Sequence, residues 1–207
     1  MLSNIQLNKI RQEKVLQSFE VLRFATRKQL QQIHDLKSDR NALKVLGRMK
    51  EYFHIQNYGG MHVYYLNKEG RAVVGIEKEL KWTAQVAHDI MRNDIYASYG
   101  CPGDWKIEHE MKFFPQLSTI EKTIVADATF THEGIFHILE VDRKQNMVEN
   151  RKKIDTYAEL WPLLIQKFGH HPSLLFYTDV PLRKEKLKRY CKEKNVNGLV
   201  YTKEDLF

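Results

Sequence analysis

Cysteine is almost missing from this sequence: Cys101 and Cys191 are the only two in 207 residues, and they sit in unrelated surroundings. A disulfide framework and a CxxC-type metal site are thereby excluded, leaving two free thiols as the expectation. Proline is scarce at 5 residues and glycine stops at 10, so the chain is not of a collagen-like or low-complexity kind. No apolar run approaches the ~18 residues that a membrane-spanning helix needs. The start, Met1-Leu2-Ser3-Asn4, is polar and carries no signal-peptide core, so a cytoplasmic protein without a membrane partner is expected.

Charge is present in excess of one sign, and it is unevenly placed. The net charge is +7, and residues 1–81 hold 15 Lys and Arg against 8 Asp and Glu, while residues 82–207 hold 18 of each. Basic groups that neutralise phosphates release condensed counterions. The asymmetry therefore suggests two domains, 1–81 and 82–207, the first of which binds a polyanion.

The pattern within residues 1–81 predicts three helices, a hairpin and a fourth helix. A stripe of Ile10, Val15, Leu16 and Phe19 marks the first helix, from about Gln6 to Val21. Thr26-Arg27-Lys28-Gln29 is a capping box opening a second, short helix to about His34. Ser38 caps a third, from about Asp39 to Tyr52, whose Ala42, Leu46, Met49 and Phe53 mark the buried side. Gly59-Gly60 between His54–Tyr58 and Met61–Leu66 reads as a hairpin turn, and Asn67-Lys68-Glu69-Gly70 leads into another helix. These are the parts of a winged helix-turn-helix domain.

If the third helix buries Ala42, Leu46 and Met49, then Arg40, Lys44 and Arg48 share the opposite face. Asn41 lies near the helix N-terminus, the end that reaches base edges when such helices dock in double-stranded DNA. Arg27, Lys28 and Lys37 are expected phosphate contacts, and His62 near the hairpin tip an expected wing contact.

Residues 82–207 read as a helix from Trp82 to about Ser98, strands at Trp105–Phe114, Thr123–Phe130 and Phe136–Asp142, and a helix Met147–Trp161 that Pro162 stops or bends. A strand Leu174–Thr178, a basic helix Leu182–Lys194 and a last strand Leu199–Thr202 follow. Asp127 and Glu140 fall on adjacent strands of one hairpin, with Glu110 on the strand before. Carboxylates at strand ends suit Mg²⁺ or Mn²⁺, and equally suit ion pairs with Arg143, Arg151 or Lys153.

The order helix, three strands, helix, strand, with Asp127 and Glu140 on the second and third strands, resembles the PD-(D/E)xK nuclease-like fold over about Thr83 to Thr178. That resemblance implies an α/β second domain in which Asp127 and Glu140 hold a metal; Glu110, from the strand before, is the candidate third ligand on position alone. The family's lysine position is occupied by Asp142, so the cation must come from Lys153, four residues before Tyr157, or from Lys144, or the site is degenerate. The whole chain also resembles the replication-relaxation family of plasmids and mobile elements. The shared segments are Phe24–Leu30, Val63–Arg71, Ala126–Ala128, Leu139–Arg143 and Lys152–Tyr157. The resemblance implies an α+β, two-domain DNA-binding accessory protein of plasmid replication or relaxation, working with other replication or relaxation proteins in a bacterial cytoplasm. A metal-dependent endonuclease using Asp127, Glu140 and Lys153 is one alternative. A winged-helix transcriptional regulator whose second domain forms a homodimer is another.

Overall fold

A computed structural model of the chain describes residues 3–114, 121–143 and 146–206. The chain is α+β, with a three-stranded sheet in one compact unit, 1–100, and a five-stranded sheet in the other, 101–207.

In the first unit α1 (Asn4–Gln17) begins on a reciprocal cap between Ser3 and Gln6. The single helix expected to Val21 is broken at Ser18, whose hydroxyl bonds the Val15 carbonyl at 2.7 Å, and α2 (Phe19–Leu22) follows. Ile10, expected in the apolar stripe, is 38% exposed, whereas Val15, Leu16 and Phe19 are buried. After β1 (Ala25–Thr26), the capping box forms as its spacing requires. Gln29 N–H donates to Thr26 Oγ1 at 3.2 Å, Thr26 N–H donates to Gln29 Oε1 at 2.9 Å, and α3 (Arg27–Ile33) starts there. Ser38 caps α4 (Asp39–Arg48), which buries Ala42 and Leu46. The helix stops short of Tyr52, and a 3₁₀ turn, Lys50–Tyr52, takes its last residues.

Strands β2 (Phe53–Tyr58) and β3 (Met61–Leu66) pair antiparallel across Gly59 and Gly60, whose φ values of 57° and 80° give the backbone twist a two-residue hairpin needs. Strand β1 adds to β3 through Ala25 opposite Tyr64; two residues are too few to show a strand period in sequence. Helix α5 (Lys68–Val74) approaches the 3₁₀ turn so closely that a Cβ on Gly70 would lie 2.3 Å from the Tyr52 carbonyl oxygen.

Helix α6 (Gln85–Ser98) belongs to this unit, so the expected division at 81/82 moves to 100/101. Its buried polar residues are the reason. Asn93 Nδ2 donates to the Leu22 and Phe24 carbonyls at 2.9 and 2.7 Å, and Gln29 Nε2 donates to the Ile90 carbonyl at 2.7 Å and to Asp94 Oδ1 at 2.6 Å. A buried carbonyl left without a donor costs about 1–3 kcal/mol, so α6 completes the segment between α2 and β1.

In the second unit β4 (Lys106–Phe113), β5 (Lys122–His132) and β6 (Ile135–Asp142) form an antiparallel meander. Strands β7 (Ser173–Thr178) and β8 (Gly198–Tyr201) extend it in parallel, in the order β4-β5-β6-β7-β8. Parallel pairs need crossovers. Helix α7 (Met147–Phe168) supplies one and α8 (Lys184–Glu193) the other, and both pack on a core containing Ile138, Leu174 and Phe176. Helix α7 runs through Pro162 rather than ending at it, because Leu160, Trp161 and Leu164 on either side are all buried and hold the turn in place. It ends instead at Gly169, at φ 74°. Neither cysteine is in a disulfide, and burial pushes the Cys191 thiol up to about 12.

A fragment of residues 1–100 is expected to unfold cooperatively on heating, and one of residues 1–81 to show no transition, since it removes the Asn93 donor from the Leu22 and Phe24 carbonyls and leaves the face under α6 uncovered. Circular dichroism melts of the two fragments check this.

Candidate functional site

Two groups of side chains stand out, one in each unit. In the first, Arg40, Lys44 and Arg48 are all exposed on α4, opposite buried Ala42 and Leu46. A groove of about 340 Å³ runs beside them, lined by Thr26, Arg27, Lys28, Leu43, Gly60, Met61 and His62. It brings Arg27, Lys28 and His62 together with one flank of α4. Arg27 is held by Asp39 through N–O pairs of 3.0 and 3.1 Å, and this hydrogen-bonded partner keeps the Asp39 carboxyl below its ordinary range. Lys37, at φ 62°, pairs with Asp35 at 2.5 Å, both side chains being largely exposed. Asn41 faces away from a base-reading role: its Nδ2 donates to the Leu36 carbonyl at 2.9 Å and closes the turn before α4. Leu43, 52% exposed, and Met61, 37% exposed, were not singled out from sequence. An apolar residue that breaks the polar side of a helix is the signal that would have found Leu43.

In the second unit the β5–β6 ladder runs from His132 opposite Ile135 to Ala128 opposite Leu139 and goes no further. Beyond it the strands part, and Asp127 fills the fork: its Oδ2 accepts the Val141 N–H at 2.7 Å. On the other side of β5, Glu108 takes φ 49° between the pairs Ile107–Ala128 and His109–Ala126. A positive φ at a residue other than glycine costs on the order of 1 kcal/mol and marks a ladder bent locally.

Glu140, 2% exposed, sits at this fork. Helix α7 brings two groups to it. Tyr157 O–H donates to Glu140 Oε1 at 2.5 Å, and the Lys153 ammonium donates to Oε2. The four-residue spacing of Lys153 and Tyr157 puts both on one face of α7, and that spacing was visible in the sequence. Asp142, one pleat further along β6, is fully buried and accepts from Thr178 Oγ1 at 2.8 Å and from Arg183 at 2.7 Å. No sequence signal linked Asp142 to Arg183, which arrives from beyond β7. Glu110 does not join the acids: its side chain is 54% exposed and lies 3.4 Å from Lys112. Lys144 lies outside the described residues.

Burial raises the Glu140 carboxyl to about 7, the Asp127 charge adding to the effect and Lys153 and Tyr157 opposing it. Burial works against the Lys153 ammonium, but the carboxylates of Glu140, Asp127 and Asp142 outweigh it and hold the lysine above its ordinary range. The Tyr157 hydroxyl is pushed well up, by burial and then by Glu140. The arrangement holds one ion pair, the buried Glu140 carboxylate with the partly exposed Lys153 ammonium, with a second acid, Asp127, alongside.

Among the described residues no group of three His, Cys, Asp or Glu side chains is close enough to hold a divalent cation. Both Glu140 oxygens are engaged, one by the Tyr157 hydroxyl and the other by the Lys153 ammonium.

Fold and sites together define a two-unit α+β protein with a basic helix face in one unit and a buried acid–lysine centre in the other. The chain belongs to the replication-relaxation family, whose pattern matches residues 16–170. No curated protein matches it. Among solved structures, the crystal structure of protein VC1899 from Vibrio cholerae aligns with 97% of this chain at 12% identity and a TM-score of 0.39; the chain spans 54% of that protein's length. No helix among the described residues is long and apolar enough to cross a membrane.

Because the folded Glu140 carboxyl binds its proton more tightly than an unfolded one, its contribution to stability is full below about 4.5 and is lost as pH rises through about 7. Glu140→Gln is expected to remove that loss. The difference in unfolding free energy between Glu140→Gln and the native chain should move in favour of the variant between these pH values, by at most about 1.4 kcal/mol per pH unit. Half-buried His34 and buried His137, both lowered to about 4, titrate in the same window but are common to the two chains and cancel. Paired urea titrations at several pH values measure the difference, and a constant difference would overturn the assignment.

Proposed function

We propose that this protein is a DNA-binding accessory protein of plasmid or mobile-element replication or relaxation, with α4 of a winged-helix domain as the element that meets duplex DNA. The observation that carries the reading is the exposed Arg40, Lys44 and Arg48 stripe beside a groove rimmed by Lys28 and His62. Three cations on one helix face, with the nearest acid, Asp39, taken up by Arg27, present a surface matched to phosphates. Membership of the replication-relaxation family supports the setting. The partners that follow are double-stranded DNA and the replication or relaxation proteins of the element; the second unit serves as a platform for DNA, for those proteins or for a second copy of the chain.

A second reading, a metal-dependent endonuclease of the PD-(D/E)xK kind, is favoured by one observation: Lys153 reaches Glu140 beside Asp127, supplying from α7 the cation that Asp142 does not. Against it stands the ammonium already seated on Glu140.

Arg40→Ala with Lys44→Ala is expected to weaken duplex binding about tenfold or more at moderate salt and to lower the slope of log affinity against log salt by about 2. Fluorescence anisotropy across a salt series reads both, and an unchanged slope would remove α4 from the interface. The leading reading also expects no cleavage of supercoiled, linear or branched DNA with Mg²⁺ or Mn²⁺. Cleavage that disappears in both Asp127→Ala and Glu140→Ala would replace it with the second.

A further inference from the structure

Gly47 lies inside α4 with no reason of its own for being glycine. Of the other nine glycines, Gly59, Gly60, Gly75, Gly100, Gly134 and Gly169 have positive φ, and Gly103 lies in a turn rather than in a helix. At Gly70 and Gly198 an added Cβ would fall within 2.3 and 2.5 Å of a neighbour. Gly47 is helical, exposed, and a Cβ there would meet nothing within 4 Å. Glycine is the poorest helix former after proline, so this position weakens α4 without return inside the fold. Gly47 stands one turn from Leu43, which is 52% exposed, and on the same side of the helix as Arg40, Lys44 and Arg48.

A bare backbone beside an exposed apolar side chain, framed by cations, is a surface for something that comes close, is anionic at its edges and is apolar at one point. Duplex DNA has these features in its major groove. Phosphates line the edges, and thymine alone among the bases presents an apolar group there, its 5-methyl. We infer, resting on the DNA-binding reading above, that α4 approaches the floor of the major groove along Gly47 and that Leu43 packs against a thymine methyl. A protein partner would need carboxylates in place of the phosphates and would give no dependence on a base methyl.

The test compares the full-length chain on two duplex polymers, alternating poly(dA-dT) and poly(dA-dU), which carry the same phosphates and differ by the methyl. The native protein is expected to bind the thymine polymer several-fold more tightly at equal salt, and Leu43→Ala to bring the two within about twofold. Gly47→Gln should weaken binding to both about tenfold or more while its melting temperature holds or rises, since glutamine is the better helix former. Equal affinity of the native chain for the two polymers, or native-like binding by Gly47→Gln, overturns the inference. In that case a salt-dependent loss in Arg40→Ala with Lys44→Ala leaves the DNA-binding reading standing, whereas no binding to either polymer removes both.

Discussion

Glu140 has almost no contact with water, and the arrangement of the second unit follows from how that is made tolerable. A buried carboxylate without partners would be neutral or would not be buried at all. Here helix α7 supplies a phenol and an ammonium on successive turns, one to each oxygen, so the helix is fixed in register against β6. Asp127 could not sit near a second carboxylate without help. It finds a backbone donor in Val141, which is available because β5 and β6 have already parted. The crossover helix, the fork in the sheet and the acid–lysine centre are therefore one construction. The apolar face of α7, with Ile154, Leu160 and Leu164 wholly buried, holds it together.

The same logic separates Asp142 from Glu140. Both lie on β6 and both are buried, but Asp142 meets Thr178 from the parallel neighbour and Arg183 from the turn after it. Each buried acid thus has a cation from a different element, Lys153 for one and Arg183 for the other. A residue that breaks the nuclease-like sequence pattern at the lysine position is, in the structure, half of a separate ion pair.

The first unit has its own buried ion pair, Arg92 with Asp89 at 2.8 Å, but it depends also on how its helices begin. Its helices are short, and α1, α3, α4 and α5 begin on side-chain caps: Ser3, Thr26, Ser38 and Asn67 each accept a backbone N–H near the start of a helix. Helices of 7 to 14 residues are marginal alone, so caps and the packing of one face decide where they stand. The outward face of α4 is left free of structural duty, which is what allows it to carry three cations, an exposed leucine and a glycine.

Local signals determined much of this in the sequence alone. The capping box at Thr26, the Gly59-Gly60 turn, the buried stripe of α4 and the strands bearing Asp127 and Glu140 all rest on neighbours within about four residues, and chemistry at that range is written in order along the chain. The four-residue interval from Lys153 to Tyr157 put those two on one helix face for the same reason. Several of the places where the reading failed share the opposite property. The third strand at Ala25, the docking of α6 through Asn93 and Gln29 and the pairing of Asp142 with Arg183 all depend on groups distant in sequence. Buried carbonyls and buried charges take whichever partner the fold brings within reach, and only the folded chain decides which partner that is.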